Sequence, residues 1–174
     1  NLVAGSISIF NLANNLQSFP IGIFGLSFAI AAFPAMSAIA FDKKKLIDNL
    51  SITSRQILFF IIPATVILLT LRAQIIRVIL GTGQFDWQDT VLTINTLQYF
   101  SISLFAQSLI PLLVRVFYAR HNTKTPFIIG LAVAIINVFL SLLFSRKFGV
   151  AGLALAFSIA NIINYLLLWL FLHF

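Results

Sequence analysis

One stretch near the start of this 174-residue sequence carries amides and hydroxyls at helical spacing. Side chains separated by three, four and three residues share one face of an α-helix, so these groups form a ladder of uncharged hydrogen-bonding partners. One interpretation is the wall of a hydrated cavity that handles a polar group. The alternative is hydrogen bonding to a neighbouring helix, or an interfacial segment. The ladder consists of Ser8, Asn11, Asn15 and Ser18, with Asn14 and Gln17 alongside.

Groups able to carry out acid–base or nucleophilic chemistry are scarce. Cysteine is absent, and the two histidines, His121 and His173, lie far apart in the sequence. Catalysis of that kind needs a general base or an activated nucleophile, so the sequence predicts no enzyme, no metal centre and no proton relay inside the membrane. The four acidic residues all lie in or beside predicted loops: Asp42, Asp48, Asp86 and Asp89.

The composition identifies a membrane protein. Hydrophobic residues make up 60% of the chain and charged residues 9%, with a mean hydropathy of +1.06, whereas a soluble domain is about 25% charged. The net charge of +7 does not indicate nucleic-acid binding, because most cations lie in short loops between apolar runs rather than on one solvated face. The lipid bilayer is therefore the expected partner.

The apolar runs predict an all-α, polytopic transmembrane helix bundle with about five spans, since ~20 apolar residues cross the hydrocarbon core and lipid tolerates only helices at this length. Residues 1–174 are expected to form a single transmembrane domain, a fragment of a larger protein. The predicted spans are residues 2–41 with bends at Pro20 and Pro34, 52–80 bent near Pro63, 90–119 containing Pro111, 126–144, and 150–173.

The loops predict the orientation of these spans. Residues 42–50 carry three consecutive lysines, residues 81–90 carry two aspartates, and residues 115–124 carry three cations. Because cytoplasmic loops are enriched in Lys and Arg, the first and third loops are predicted to lie in the cytoplasm and the second outside. The fourth loop is then external, although it contains Arg146 and Lys147.

The third loop is also a distinctive motif. Thr125 is predicted to cap the next helix and Pro126 to occupy its first position, where a missing N–H costs nothing. The loop is therefore expected to set helix ends. Its motif residues are Phe117, Tyr118, Arg120, Thr123, Lys124, Thr125 and Pro126.

This motif, Phe-Tyr-Ala-Arg-x-x-Thr-Lys-Thr-Pro, closely resembles a loop of the MurJ (MviN) family. These are bacterial lipid II flippases of the multidrug/oligosaccharidyl-lipid/polysaccharide (MOP) exporter superfamily. The likeness runs almost from end to end. It includes Gly5-Ser-Ile-Ser8, Ala13-Asn-Asn-Leu16, Phe19-Pro20, Gly81-Thr-Gly83-Gln-Phe85-Asp86, and Gly149-Val-Ala-Gly-Leu-Ala-Leu-Ala156 with Ser158.

The resemblance implies five helices from the carboxyl-terminal half of a fourteen-helix transporter, an incomplete MOP-exporter-like lobe. It further implies a multi-pass protein of the bacterial inner membrane that flips lipid II by alternating access in cell-wall biosynthesis. Lipid II is the implied substrate, and no organic cofactor is implied. A sodium ion or the membrane potential is the implied driving force.

Two pairs of residues depart from the family pattern. Many relatives carry an acid and an arginine in an Ala-Asp-Arg-Leu stretch, and this chain has Asn14 and Asn15 there. Some relatives place an Asn and an Asp that help hold sodium where this chain has Asn137 and Ser141. With serine at the acidic position, a helix-packing contact is favoured over a cation site, since hard cations prefer several oxygen ligands.

Two other functions fit the same pattern. An exporter of another lipid-linked polysaccharide or of a drug would share the fold, because fold alone does not define substrate. A non-transporting membrane scaffold for cell-wall enzymes would fit the loss of charge at Asn14 and Asn15. Protein partners are not predicted.

Overall fold

The computed structural model describes residues 6–80 and 87–172, and every regular element in these ranges is helical. This confirms the predicted all-α class. The elements are α1 (Ser6–Pro20), a π-helical segment (Ile21–Leu26), α2 (Ser27–Ala38), α3 (Lys43–Thr70), α4 (Arg72–Leu80), α5 (Trp87–Ile102), α6 (Leu104–Ala119) and α7 (Lys124–Phe171).

Five membrane-crossing segments follow from these elements. Ile7–Ala38 and Lys43–Thr70 are long and apolar enough to span a bilayer, and so is the bent pair Thr90–Ile102 and Leu104–Ala119 taken together. The 48-residue α7 contains one non-helical residue, Gly149 (φ 57°, ψ −131°), which divides it into residues 124–148 and 150–171. Each piece reaches the ~20 residues that a span needs, so the described segments correspond to the five predicted ones.

The first span changes its helical pitch directly after a proline. Pro20 has no N–H to donate within the helix, and the six residues that follow it form the π-helical segment. The Ser27 hydroxyl donates to the Gly22 carbonyl, five residues back, at 3.1 Å. The predicted interruption at Pro20 is therefore a widened turn, and α2 runs through Pro34 without a break.

The second span begins nine residues earlier than predicted, at Lys43 rather than residue 52. The carboxylate of Asp42 accepts a hydrogen bond from the backbone N–H of Lys45 at 3.2 Å and caps the helix. The lysine-rich stretch is thus the first turn of α3 rather than a loop. The helix continues through Pro63 and ends at Thr70, with the short α4 beyond it. The helix break therefore lies at Leu71, and the bend near Pro63 remains a prediction.

The bent pair α5 and α6 lies at the centre of the bundle and packs against all the other described helices. Ser103 separates the two helices, and their axes differ by 46°. The buried ring of Phe100, near this bend, meets Phe10 of α1 and Phe157 of α7 edge-on, with ring centroids 5.1 and 5.5 Å away. Aromatic contacts of this geometry stabilise the junction of three helices.

The last two spans are joined by a single residue. Residues 145–148, predicted as a loop, are helical, and Arg146 and Lys147 are exposed at the end of the first piece. Cations at a helix C-terminus interact favourably with its dipole, which explains why the helix extends through them. A Cβ atom at Gly152 would overlap the Phe144 carbonyl, so the chain folds back tightly at Gly149.

Candidate functional site

The structure places the predicted ladder on one face of α1. Ser8, Asn11, Asn15 and Ser18 are all exposed, whereas Asn14 is half-buried. The opposite face of α1 is packed, with Ile9 and Ala13 buried. We refer to the four exposed residues as the polar stripe.

The polar stripe faces away from the packed bundle. Its residues lie within a helix long and apolar enough to cross the membrane. Lipid tails offer no hydrogen-bonding partner, and polar side chains at that depth therefore meet water, a polar ligand or another polar surface. The stripe is thus the part of α1 able to contact a polar molecule.

The other face of α1 carries a buried amide. The side chain of Gln17 is 0% exposed. Its oxygen accepts a hydrogen bond from the Gln107 amide nitrogen of α6 at 3.0 Å, and its nitrogen donates to the Asn14 side-chain oxygen at 2.9 Å. Asn14 therefore borders the polar stripe and also takes part in the hydrogen bonds that hold α1 against α6.

This contact continues as a chain of hydrogen bonds through the helix bend. Gln107 also donates to the Ser103 hydroxyl at 2.8 Å, Ser103 donates to the Ser158 hydroxyl of α7 at 3.0 Å, and Ser158 donates to the Tyr99 backbone carbonyl at 2.7 Å. We call the five side chains the amide–hydroxyl chain: Asn14, Gln17, Gln107, Ser103 and Ser158.

The amide–hydroxyl chain satisfies buried polar groups that would otherwise destabilise the bundle. It joins α1, α6 and α7 at the point where α5 ends, so it fixes α1 relative to the centre of the bundle. Sequence analysis missed Gln107 and Ser103 as members. The available signal was a pair of polar residues four apart inside an apolar run, which indicates a buried polar contact.

The candidate cation residues lie on the first piece of α7. Asn137 and Ser141 are both half-buried, and the Ser141 hydroxyl donates to the Asn137 side-chain oxygen at 3.3 Å. In residues 6–80 and 87–172 no group of three or more His, Cys, Asp or Glu residues is arranged to hold a metal ion. Two neutral oxygens that bond to each other do not by themselves fit a hard cation, and the preference for a packing contact over a cation site remains a prediction.

The motif loop ends α6 with a Schellman motif. The His121 N–H donates to the Tyr118 carbonyl at 3.0 Å and the Asn122 N–H donates to the Phe117 carbonyl at 2.9 Å, which is the pair of bonds that defines this motif. His121 has the left-handed φ of 57° that glycine usually supplies. Its ring stacks on Phe41, with centroids 6.3 Å apart.

The helix cap after the motif loop differs from the prediction. The Asn122 side-chain oxygen accepts from the Thr125 N–H at 3.2 Å, and the Asn122 side-chain nitrogen donates to the Thr125 hydroxyl at 2.9 Å. The Asn122 side chain therefore caps the first turn of α7 from the residue before the N-cap position, Thr123, and Thr125 is its partner. Pro126 is the third residue of α7 rather than the first, still within the turn where a missing N–H costs no hydrogen bond.

The remaining motif residues divide between packing and solvent. Phe117 and Pro126 are buried, which fixes the ends of α6 and α7. That the motif sets helix ends rather than contacting substrate remains a prediction. The exposed motif residues are Tyr118, Arg120, Thr123 and Lys124.

The two loops predicted to be cytoplasmic lie at the same end of the bundle. Phe41 of the first loop stacks on His121 of the third, and a cleft of about 190 Å³ is lined by residues of both, including Lys43 and Arg120. Beside it, the Asp42 carboxylate lies 3.0 Å from the Lys45 ammonium, and this hydrogen-bonded ion pair lowers the pKa of Asp42. Their shared position agrees with the predicted orientation.

Bent spans and one polar helix face directed away from the bundle define a polytopic helical membrane protein of the kind common among transporters. A family model described as "Lipid II flippase MurJ" matches residues 1–173, and the chain belongs to that family. It is accordingly part of a multi-pass protein of the bacterial inner membrane.

Individual relatives agree with this assignment. The chain is 35% identical to the lipid II flippase MurJ of Thermosipho africanus over 90% of this chain and 32% of the relative. It is 32% identical to the probable lipid II flippase MurJ of Vibrio cholerae over 99% of this chain and 33% of the relative. The chain thus spans about a third of the length of the curated relatives it matches.

A solved structure has the same fold. It is described as "Lipid II flippase MurJ, inward closed conformation", is 35% identical, and superposes with a TM-score of 0.86. The match covers 95% of this chain and 35% of that one. The arrangement of helices is therefore that of one part of a larger membrane protein.

Proposed function

We propose that the protein of which this chain forms a part moves lipid II across the inner membrane, and that the polar stripe forms part of the wall of its pathway. The observation that carries the proposal is the exposure of Asn11 and Asn15 from the packed bundle within a membrane-spanning helix. The names of the related flippases support the choice of ligand.

The chemistry of the stripe suits a large polar headgroup. Amides and hydroxyls both donate and accept hydrogen bonds, and a peptidoglycan precursor offers sugar hydroxyls and peptide groups in return. Individual bonds of this neutral kind contribute only about 0.5–1.5 kcal/mol each in net terms. Several such weak hydrogen bonds can bind a headgroup along the pathway and still allow it to dissociate.

The amide–hydroxyl chain keeps the stripe in position. Gln17 is held by Gln107, and it in turn holds Asn14, so α1 cannot rotate about its axis without breaking buried hydrogen bonds. The exposed amides therefore stay directed away from the bundle.

The first 41 residues contain no charged side chain. The family resemblance implies an arginine where this chain has Asn15, and an uncharged α1 does not neutralise a pyrophosphate group. The cations that meet such a group belong, in this proposal, to other parts of the protein. Moving a lipid breaks no covalent bond, so a role as a transporter rather than an enzyme requires no catalytic residue here.

The proposal is tested by rescue of a flippase-depleted bacterium with the full-length protein. The double variant Asn11→Leu/Asn15→Leu replaces two amides by apolar groups of similar size, and we expect it to lose most of the rescue at normal expression. The control is Gln56→Leu, which alters an exposed polar residue on α3 and should keep full rescue.

Two results would count against the proposal. Full rescue by the double variant would show that the stripe does not contact the substrate. Failure of the parental protein to rescue, when it is expressed and folded, would favour a scaffold or a different substrate. Exposure of lipid II on the outer leaflet, measured with an impermeant probe, separates transport from indirect effects on growth.

A further inference from the structure

A second surface lies at the end of the bundle that carries the motif loop. A groove of about 750 Å³ runs between α3, α6 and the end of α7. This volume falls within the range of sites that bind small molecules. We call it the inner groove.

The floor and walls of the inner groove are mostly apolar. Leu109 and Leu113 of α6 are nearly buried, at 5% and 2% exposed, while Trp169 of α7 is 57% exposed. Leu58 contributes from α3. These side chains form a surface suited to hydrocarbon.

The charged part of the lining is confined to α3. Arg55 lines the groove together with the hydroxyl-bearing Ser51 one turn before it, and Lys43 lines it about 18 Å closer to the start of the helix. The residues between Arg55 and Arg72 include no charged side chain. Arg55 therefore marks the level at which α3 enters the hydrocarbon.

Two aromatic residues of α7 also line the groove. Tyr165 and Trp169 line the groove near the end of α7, and such rings concentrate at the boundary between hydrocarbon and headgroups. The charge pattern of the loops assigns this end of the bundle to the cytoplasmic side. Anionic lipids give that leaflet its negative surface potential, and basic pockets between spans on this side bind their headgroups.

We propose that the inner groove binds an anionic glycerophospholipid of the inner leaflet. Its phosphate lies against Arg55 and Ser51, and an acyl chain follows Leu58 and Leu109. Charge complementarity favours this occupant over an apolar protein segment, which would bury Arg55 without a counter-charge. The proposal does not depend on which lipid the protein transports.

The test uses the full-length protein in nanodiscs that contain a photoactivatable phosphatidylglycerol in a phosphatidylcholine background. Mass spectrometry locates the labelled peptides. We expect labelling of residues 43–58 and 165–172 to exceed that by a matched phosphatidylcholine probe about fivefold, the effect of one cation near the membrane surface.

Variants separate specific binding from general attraction. Arg55→Gln should reduce the labelling to the level of the phosphatidylcholine probe, and Arg55→Lys, which keeps the charge, should restore most of it. The matched control is Lys44→Gln, which removes the same charge from an exposed residue in the first turn of α3. It should leave the labelling unchanged.

The remaining outcomes would overturn the proposal. Equal labelling by the two probes would show that the groove does not distinguish anionic from zwitterionic lipid. No labelling of either segment in folded protein would show that another part of the longer protein covers the groove. Displacement of the probe by stoichiometric lipid II would assign the groove to the transported substrate rather than to a resident phospholipid.

Discussion

The side-chain amide of Gln107 donates a hydrogen bond to the side-chain oxygen of Gln17 at 3.0 Å, across 90 residues of sequence. It joins the central bent pair of helices to the helix that carries the polar stripe. Because Gln17 is fully buried, water cannot replace this bond if it is lost. The contact therefore determines how α1 is placed.

Removing one partner of this pair should destabilise the protein. Gln107→Leu leaves the Gln17 oxygen without that donor, and we expect a loss of about 1–3 kcal/mol in the free energy of unfolding. The double variant Gln17→Leu/Gln107→Leu should lose less than the sum of the single variants, because both polar groups are gone. Thermal unfolding of the full-length protein measures this coupling. Strict additivity would contradict the contact.

Two glycines of the π-helical segment offer a matched comparison. A Cβ atom at Gly25 would lie 2.8 Å from the Ser108 backbone oxygen and 2.9 Å from its Cα atom, whereas one at Gly22 would meet nothing within 4 Å. Gly25→Ala should therefore destabilise by about 1–3 kcal/mol through overpacking. Gly22→Ala should be neutral or stabilising. Equal melting temperatures for the two variants would show that α6 does not pack closely there.

The motif loop yields a prediction about helix ends. Asn122→Ala removes the side chain that caps α7 and should cost about 1 kcal/mol, more than Thr125→Ala, which loses only the partner hydroxyl. His121→Gly should be neutral or stabilising because glycine adopts positive φ readily, although it loses the ring contact with Phe41. Thermal stability and transport per folded molecule should be measured together. A collapse of transport at normal stability would instead make the loop a gate or binding element.

The orientation of the spans can be tested by chemical labelling. In a cysteine-free version of the full-length protein, single cysteines at Lys44 and Asn122 should be shielded from an impermeant thiol reagent in intact cells. A cysteine at Lys147, at the opposite end of the bundle, should react. The reverse pattern would invert the topology and remove the inner groove from the cytoplasmic leaflet.

The family resemblance implies an arginine at the position of Asn15, and this difference makes a testable pair with Asn14. An arginine at membrane depth costs roughly 2.5–3.5 kcal/mol on insertion scales unless it meets an anion. We therefore expect Asn15→Ala to cost little, and Asn15→Arg to impair rescue unless Asn14→Asp accompanies it. A carboxylate at position 14 could still accept the Gln17 hydrogen bond. Improved rescue by Asn15→Arg alone would contradict this expectation, because it would show that the substrate pathway benefits from an added positive charge at this position.

The sequence predicted the spans because their apolar runs are long, and it predicted the polar stripe because its spacing is helical. It did not predict where helices break. Proline suggested a bend near Pro63, which lies within the unbroken helix α3, and the bend at Ser103 between α5 and α6 was not predicted. Contacts from neighbouring helices, including Ser158, stabilise that bend, and such contacts cannot be seen in a local pattern.

The start of α3 and the cap of α7 show a second reason why helix ends were predicted incorrectly from the sequence. Lysines at positions 43–45 suggested a loop by their charge alone, although Asp42 offered a cap and Leu46 and Leu50 already followed the helical period. Thr125 and Asn122 are both able to cap a helix, and in the structure it is the Asn122 side chain that accepts the Thr125 N–H. The ring stacking of His121 on Phe41 joins two distant loops, so the sequence around residue 122 could not reveal it.

The turn at Gly149 has a mechanical consequence. One residue joins residues 124–148 to residues 150–171, and the close approach of Gly152 to Phe144 leaves no slack in that connection. The ends of the two helices at this turn must therefore move together, so we expect the pair to move as one rigid unit. If the protein rocks between conformations, this hairpin tilts as one piece, and its freedom to move lies at the opposite end.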